Sequence, residues 1–138
     1  MISLIEEKDI ENVYKLGVEL HPNFKKLYNY NSLVNNIDKT YKIEENNNFV
    51  GFIHIQLVSD ETNIIDIVVN NSYRGKGYGK MLLDYVFNKY KDTRFILEVS
   101  SNNLNAINFY NNNRFIVINI RNNYYQDGSD ALIMEKKW

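Results

Sequence analysis

Apolar and polar residues follow each other along this chain with a period that switches several times. Ile2–Ile5 is a short apolar stretch that reads as an edge strand. From Asp9 to Leu20, apolar positions at Ile10, Val13, Leu16, Gly17 and Leu20 recur at the three-to-four spacing of an amphipathic helix. Residues 21–31 carry His21, Pro22, Phe24, Tyr28 and Tyr30 without a period. They read as an aromatic loop, either a surface-packed connection or a lid over a substrate. Ser32–Ile37 is expected to be a second short helix. Thr40–Glu45 and Phe49–Ser59 flank Asn46-Asn47-Asn48, which is a hairpin signal. Thr62–Val69 is rich in β-branched apolar residues, as a buried central strand is. Leu82, Leu83, Val86, Phe87 and Tyr90 place a helix over Lys80–Tyr90. Arg94–Val99 reads as a strand, Leu104–Asn112 as a short helix, and Phe115–Ile120 and Ala131–Glu135 as closing strands. The order βααβββαβαββ predicts an α/β (α+β) fold. Its central strand, helix and strand imply a parallel pair.

Composition narrows the function classes. A chain of 138 residues with 44% hydrophobic and 24% charged residues suits one domain, spanning residues 1–138, with one core. A net charge of -1 gives no electrostatic reason to bind nucleic acid. Cysteine is absent, which excludes disulfides, thiolate metal sites and a cysteine nucleophile. The two histidines do not form a helical pair, and no metal site is expected. The N-terminus, MISLIEEKDIENVYKL, lacks the basic and apolar regions of a signal peptide. No apolar run reaches the length of about 18 residues that a membrane helix needs. The expectation is a cytoplasmic protein without a membrane partner. Asparagine occurs 23 times, clustered at Asn46–Asn48 and Asn111–Asn113, which suits turns.

Arg74-Gly75-Lys76-Gly77-Tyr78-Gly79-Lys80 is the sharpest feature. It follows a strand and opens a helix. Glycines there let successive backbone N–H groups converge, and the helix N-terminus adds partial positive charge. With Arg74, Lys76 and Lys80 the stretch can hold a pyrophosphate. Met81 stands where a nucleotide-triphosphate loop needs Ser or Thr, and Lys80 where a dinucleotide fingerprint needs its third glycine. A solvated basic helix entry is the plain structural alternative.

The wider stretch IIDIVVNNSYRGKGYGKMLLDYV resembles the acetyl-CoA-binding motif of the GNAT superfamily. In that motif a strand is followed by Arg or Gln, two residues, Gly, one residue, Gly or Ala, and a helix. Arg74, Gly77 and Gly79 match. LEVSSNNLNAINFYNNNRF resembles the superfamily's second block, with Asn103, Ala106, Tyr110 and Phe115 matching. IRNNYYQDGSDALIM resembles the C-terminal signature of protein N-terminal acetyltransferases, the ribosomal-protein-alanine branch in particular. The matching residues are Arg121, Tyr124, Tyr125, Asp127, Gly128, Asp130 and Ala131. The resemblance covers residues 50–138 well and residues 1–49 in outline. Two positions depart from it: Asn71 stands in place of Pro, and Arg114 in place of Gly. Asn113 is expected to take the left-handed conformation that the missing glycine would supply.

The resemblance implies a mixed central sheet with a splayed parallel pair and about four flanking helices. It also implies acetyl-CoA as cofactor. Ile67, Val68 and Val69 would pair with the pantetheine arm, and Arg74, Gly75, Lys76, Gly77, Tyr78, Gly79 and Lys80 would hold the pyrophosphate. Asn103 and Ala106 would line the thiol end. Glu98 matches the family's general base and Tyr110 its general acid. Tyr124 and Tyr125 would wall the groove for the acceptor. Each residue also has a plain structural reading: Glu98 exposed or paired to Arg94 or Lys91, Tyr110 in the core, the tyrosine pair in cross-strand packing. His54 and His21 rank below Glu98 as bases. The expected activity is direct acetyl transfer to a protein α-amine, with ribosomal protein as the substrate. A small amine such as a polyamine or aminoglycoside is the second possibility, and a non-catalytic acyl-CoA-binding module the third.

Overall fold

The computed structural model describes residues 1–138. Strands β1 (Ile2–Leu4), β2 (Asp38–Glu45), β3 (Asn48–Val58), β4 (Glu61–Val69), β5 (Arg94–Ser100), β6 (Phe115–Arg121) and β7 (Ala131–Lys136) form one sheet. Its strand order is β1-β2-β3-β4-β5-β7-β6. Helices α1 (Ile10–Gly17), α2 (Phe24–Leu27), α3 (Tyr30–Leu33), α4 (Tyr78–Lys89) and α5 (Leu104–Asn112) flank it. Every strand pair is antiparallel except β4–β5, which α4 connects as the crossover helix. No helix is long and apolar enough to cross a membrane.

Each face of the sheet has its own core. Leu82, Leu83, Val86 and Phe87 of α4 pack with Ile53, Ile55, Phe95, Leu97 and Met134 on one side. Val13 and Leu16 of α1, Phe24 of α2 and Leu33 of α3 pack with Phe52 and Val68 on the other. The β2–β3 hairpin turns through Asn46 and Asn47 at φ 52° and 66°, a doubly left-handed turn that asparagine tolerates.

The segment 21–31 is a packed connection. Phe24 is completely buried and its ring centroid lies 4.7 Å from that of Tyr28 and 6.1 Å from that of Phe52. The helix expected over Ser32–Ile37 does not form. A single turn ends at Leu33, and Asn35 Oδ1 then accepts the Ile37 and Asp38 N–H groups at 2.8 and 2.7 Å. That side chain competes with helical bonding and fixes a turn into β2. The left-handed residue after α5 is Arg114, at φ 72°, whereas Asn113 sits at φ -108°. Asn113 is the helix cap and donates its side-chain amide to Phe109 O at 2.8 Å. The next residue therefore carries the left-handed turn, at the position where the resemblance expects glycine.

Two features create the functional gap. Ile65 is an extra residue in β4, because His54 opposes Asp66 while Ile55 opposes Ile64. A bulge of this kind bends its strand. The parallel pairing of β4 with β5 then stops at Ile64 opposite Leu97, and Ile65–Val69 separate from Glu98–Ser100. The strands splay, as expected.

Candidate active site

The splay opens a cavity of about 920 Å³. Ile67, Val68 and Val69 of β4 form one wall, and Glu98, Val99 and Ser100 of β5 the other. The Gly-rich turn closes one end, with Arg74, Gly75, Gly77, Tyr78, Gly79 and Lys80 in the lining. Gly75 and Gly77 have φ 77° and 88°, and a side chain at either would project into open space. Gly77 is the N-cap of the twelve-residue helix α4, whose first-turn N–H groups follow it. The glycines and the first-turn N–H groups at this end could together hold an anionic group.

The basic side chains divide there. Arg74 donates Nε to Val69 O at 2.9 Å and NH2 to Glu19 at 2.8 Å, so its guanidinium bridges β4 to the end of α1. Lys80 pairs with Asp84 at 2.7 Å one helical turn on. Lys76 is exposed, 5.8 Å above the Tyr73 ring, and does not line the cavity. Lys76 therefore does not contribute to this end of the cavity as the resemblance implied.

Asn103 and Ala106 line the cavity with Phe109 and Tyr110. Asn103 Oδ1 accepts the Ala106 N–H at 3.2 Å and so caps α5. Tyr110 is buried against Phe109 and Phe115 and lines the cavity. Burial, with the nearby negative charge of Asp66, pushes its phenol well above the usual value.

Glu98 is solvent-exposed. It is not paired to Arg94, whose guanidinium is engaged by Glu135 and Glu61 at 2.9 and 3.4 Å. Instead Tyr125 donates its hydroxyl to Glu98 Oε1 at 2.8 Å. Burial, and this bond to a carboxylate, push the Tyr125 phenol up to about 12. The tail signature explains how Tyr125 is placed. Asp127 Oδ1 accepts the Ser129 N–H and hydroxyl at 2.9 and 2.6 Å. Gly128 turns at φ 85°, and Asp130 accepts the Asn123 N–H at 2.9 Å. Tyr124 is 51% exposed, stacks edge-on against Tyr125 at 5.1 Å, and does not line the cavity. Its role in the structure is to brace its neighbour.

A second cavity of about 460 Å³ meets the first. Tyr28, Gln56, Asn63, Ile64, Ile96 and Leu97 line only this one, while Ile65, Asp66, Glu98, Tyr125 and His21 line both. His54 is buried, and its Nε2 is 2.7 Å from Asp38 Oδ1. Burial raises the Asp38 carboxyl, but hydrogen bonds from His54, Gln56 and Asn35 outweigh it and hold the group below its usual range. His54 is thus a structural pair, not a base. Asp66, at the junction, was missed by the sequence reading. The signal was present: a carboxylate inside the apolar run TNIIDIVV is costly to bury unless it has a partner or a function. No three His, Asp or Glu side chains are grouped to hold a metal.

A cradle for an anion at a helix N-terminus, joined to a gap between splayed strands, is the arrangement the sequence motifs imply. The family model described as Acetyltransferase (GNAT) family matches residues 5–114. This chain belongs to the GNAT acetyltransferase family. Such acetyltransferases take their acetyl group from acetyl-CoA, and the open Cβ positions of Gly75 and Gly77 with the splayed gap fit that molecule. The [ribosomal protein bS18]-alanine N-acetyltransferase of Haemophilus influenzae is 33% identical over 133 residues, covering 91% of this chain and 87% of that protein. The crystal structure of the ribosomal-protein-S18-alanine N-acetyltransferase from Escherichia coli superposes with TM-score 0.85 at 28% identity, covering 99% of this chain and 92% of that one. A GNAT acetyltransferase from Elizabethkingia anophelis with acetyl-CoA bound shares the fold at TM-score 0.82 and 16% identity, over 100% of this chain and 97% of that one.

Proposed function

We propose that this enzyme acetylates the α-amine at the N-terminus of a protein, with a ribosomal protein as the substrate class. The observation that carries the reading is the junction of two cavities at Glu98 and Tyr125. One cavity runs to the anion cradle and the other opens beyond it, lined by Tyr28, Gln56 and Asn63. Those side chains offer hydrogen bonds to a peptide backbone, as an acceptor chain requires. The relatives named for ribosomal-protein alanine acetylation support the same substrate class.

Acetyl-CoA supplies a thioester carbonyl and a thiolate leaving group. Ile67, Val68 and Val69 present the free edge of β4 to its pantetheine arm, and the Gly-rich turn holds its pyrophosphate. Asn103 and Ala106 bound the thiol end. Glu98 takes the proton from the incoming ammonium, because only a neutral amine carries the lone pair that attacks. The α-amine pKa of about 7.7–8.0 makes that deprotonation shallow near neutral pH. Tyr125 holds the Glu98 carboxylate through its hydroxyl. Tyr110 donates a proton or hydrogen bond to the departing sulfur. Without a cysteine nucleophile, direct transfer to the amine is favoured over an acyl-enzyme.

The deciding experiment measures coenzyme A release with peptides that begin in Ala, Ser, Met or Gly, beside polyamines and aminoglycosides. Turnover of a peptide that vanishes when its α-amine is blocked supports the N-terminal reading. Turnover of small amines alone would replace the substrate class and leave the family intact. Residues 21–31 contain no Asp or Glu to attract a polycation, which disfavours that alternative. A non-catalytic module is disfavoured by the presence of both Glu98 and Tyr110.

Glu98→Gln is expected to lower kcat/KM on the order of 10- to 100-fold at pH 7. The effect falls at the lower end because Glu98 is exposed and water can replace it. Activity of the variant should recover as pH rises past the α-amine pKa. A pH profile that keeps the wild-type shape removes Glu98 from the role of base.

A further inference from the structure

Asp66 sits where the two cavities meet, and the transfer chemistry above does not use it. The Ile65 bulge turns it to the face that also carries its cross-strand partner His54 and the second cavity. Its side chain is only 12% exposed. Oδ2 is buried without a hydrogen-bond partner. His21 Nε2 stands 3.7 Å from Oδ1, longer than a hydrogen bond. His54 gives it no hydrogen bond, because its Nε2 is committed to Asp38 and its Nδ1 is the other buried side-chain atom without a partner. Nε2 faces a carboxylate, which can only accept, so Nε2 carries a proton and donates it to Asp38. The junction therefore holds a carboxylate that receives no hydrogen bond shorter than the 3.7 Å approach of His21.

We propose that Asp66 is the seat of the substrate's ammonium group. This rests on the reading of the enzyme as an amine acetyltransferase acting on a protein N-terminus. A buried carboxylate short of donors is unfavourable until a cation with several N–H groups arrives, and an ammonium is that group. Burial raises the Asp66 carboxyl, while the charges of His21 and His54 pull it back down. Docking sets the nitrogen at the cavity junction. One N–H proton then passes to Glu98, leaving the neutral amine with its remaining N–H groups directed at Asp66 and its lone pair free. The amide product has no positive charge and loses this contact, so the same residue that selects the substrate favours release of the product. Glu98 is unsuited to the anchoring role, because it is exposed and already accepts the Tyr125 hydroxyl.

The test compares the affinity of an α-amine peptide with that of the same peptide α-acetylated, each measured as a ligand of the acetyl-CoA-free enzyme. The wild type should prefer the amine about 10- to 100-fold, the range a charge-assisted hydrogen bond carries. In Asp66→Asn that preference should fall to about twofold or less, with the KM for acetyl-CoA unchanged. A wild type that binds both peptides equally overturns the proposal without any variant being needed. So does an Asn variant that keeps the preference, or one that loses kcat with the amine KM unchanged. If the wild type acetylates no peptide, the N-terminal reading fails. The same ratio, taken with the amine that is turned over and its N-acetyl derivative, still decides the role of Asp66.

Discussion

Replacing Tyr110 by Phe is expected to lower kcat on the order of 10²- to 10³-fold while acetyl-CoA still binds. The ring makes the packing contacts, edge-on to Phe109 and Phe115 at centroid distances of 5.4 and 5.5 Å, and Phe preserves them. The loss is confined to one hydroxyl. That hydroxyl matters because, in the proposed mechanism, it meets the charge that develops on the departing coenzyme A sulfur. Burial and the Asp66 charge hold the phenol above its ordinary value near 10, so it stays protonated throughout the neutral range. The sign is decisive. A phenol with a raised pKa is available as a proton donor and is unsuited to be the base. Wild-type kcat should consequently show no alkaline decline from Tyr110 below about pH 10. Steady-state kinetics and a binding titration of both proteins check this. Undiminished kcat in the Phe variant removes Tyr110 from the chemistry, and a raised KM for acetyl-CoA with normal kcat reassigns it to binding.

Gly77→Val is expected to weaken acetyl-CoA binding about 100-fold or more, with a much smaller effect on folding. Gly77 has φ 88°, a conformation that costs an ordinary residue about 1–2 kcal/mol and a β-branched one more. To relieve that strain the turn must change shape, and the turn is what aims the first N–H groups of α4 at the anion. A valine side chain would also occupy the open space into which the Cβ position points. Folding suffers less because no neighbour is crowded there. Calorimetric titration with coenzyme A and a thermal melt separate the two effects. Equal loss of melting temperature and affinity would place the glycine in the fold instead of the site.

Much of this architecture was legible in the sequence because periodicity and turn chemistry agree along most of the chain. β4, α4, β5 and α5 were each placed within about two residues, since a β-branched strand, a Gly-rich turn and a helical apolar stripe point to the same answer there. The Glu98 and Tyr110 positions came from motif resemblance, and both line the cavity. The rest depended on side chains whose partners lie far away. Asn35 ends a helix by bonding to the backbone two and three residues on, which no apolar period reports. Arg94 could have been the partner of Glu98, but Glu135 lies 41 positions on in sequence and takes it. Tyr124 and Tyr125 read alike, and only the fold distinguishes the brace from the residue that reaches Glu98. The Ile65 bulge resets strand parity by one residue, so the face presented by Asp66 was not deducible from alternation.

The free edge of β4 beyond Ile64 gives the protein an incomplete sheet. A bound pantetheine arm that bonds to it acts as a surrogate strand, and the cofactor becomes part of the fold as well as a reactant. Thermodynamic linkage gives the size: a ligand at a hundred times its Kd adds about 2.7 kcal/mol to stability. The working enzyme is therefore more durable when acetyl-CoA is plentiful and more easily opened when it is scarce. Because coenzyme A and acetyl-CoA share the pantetheine arm, a contact made through that arm is open to the spent form as well as the charged one. On that arrangement the persistence of this enzyme would follow the total coenzyme A pool, while its output would follow the fraction of that pool that is acetylated.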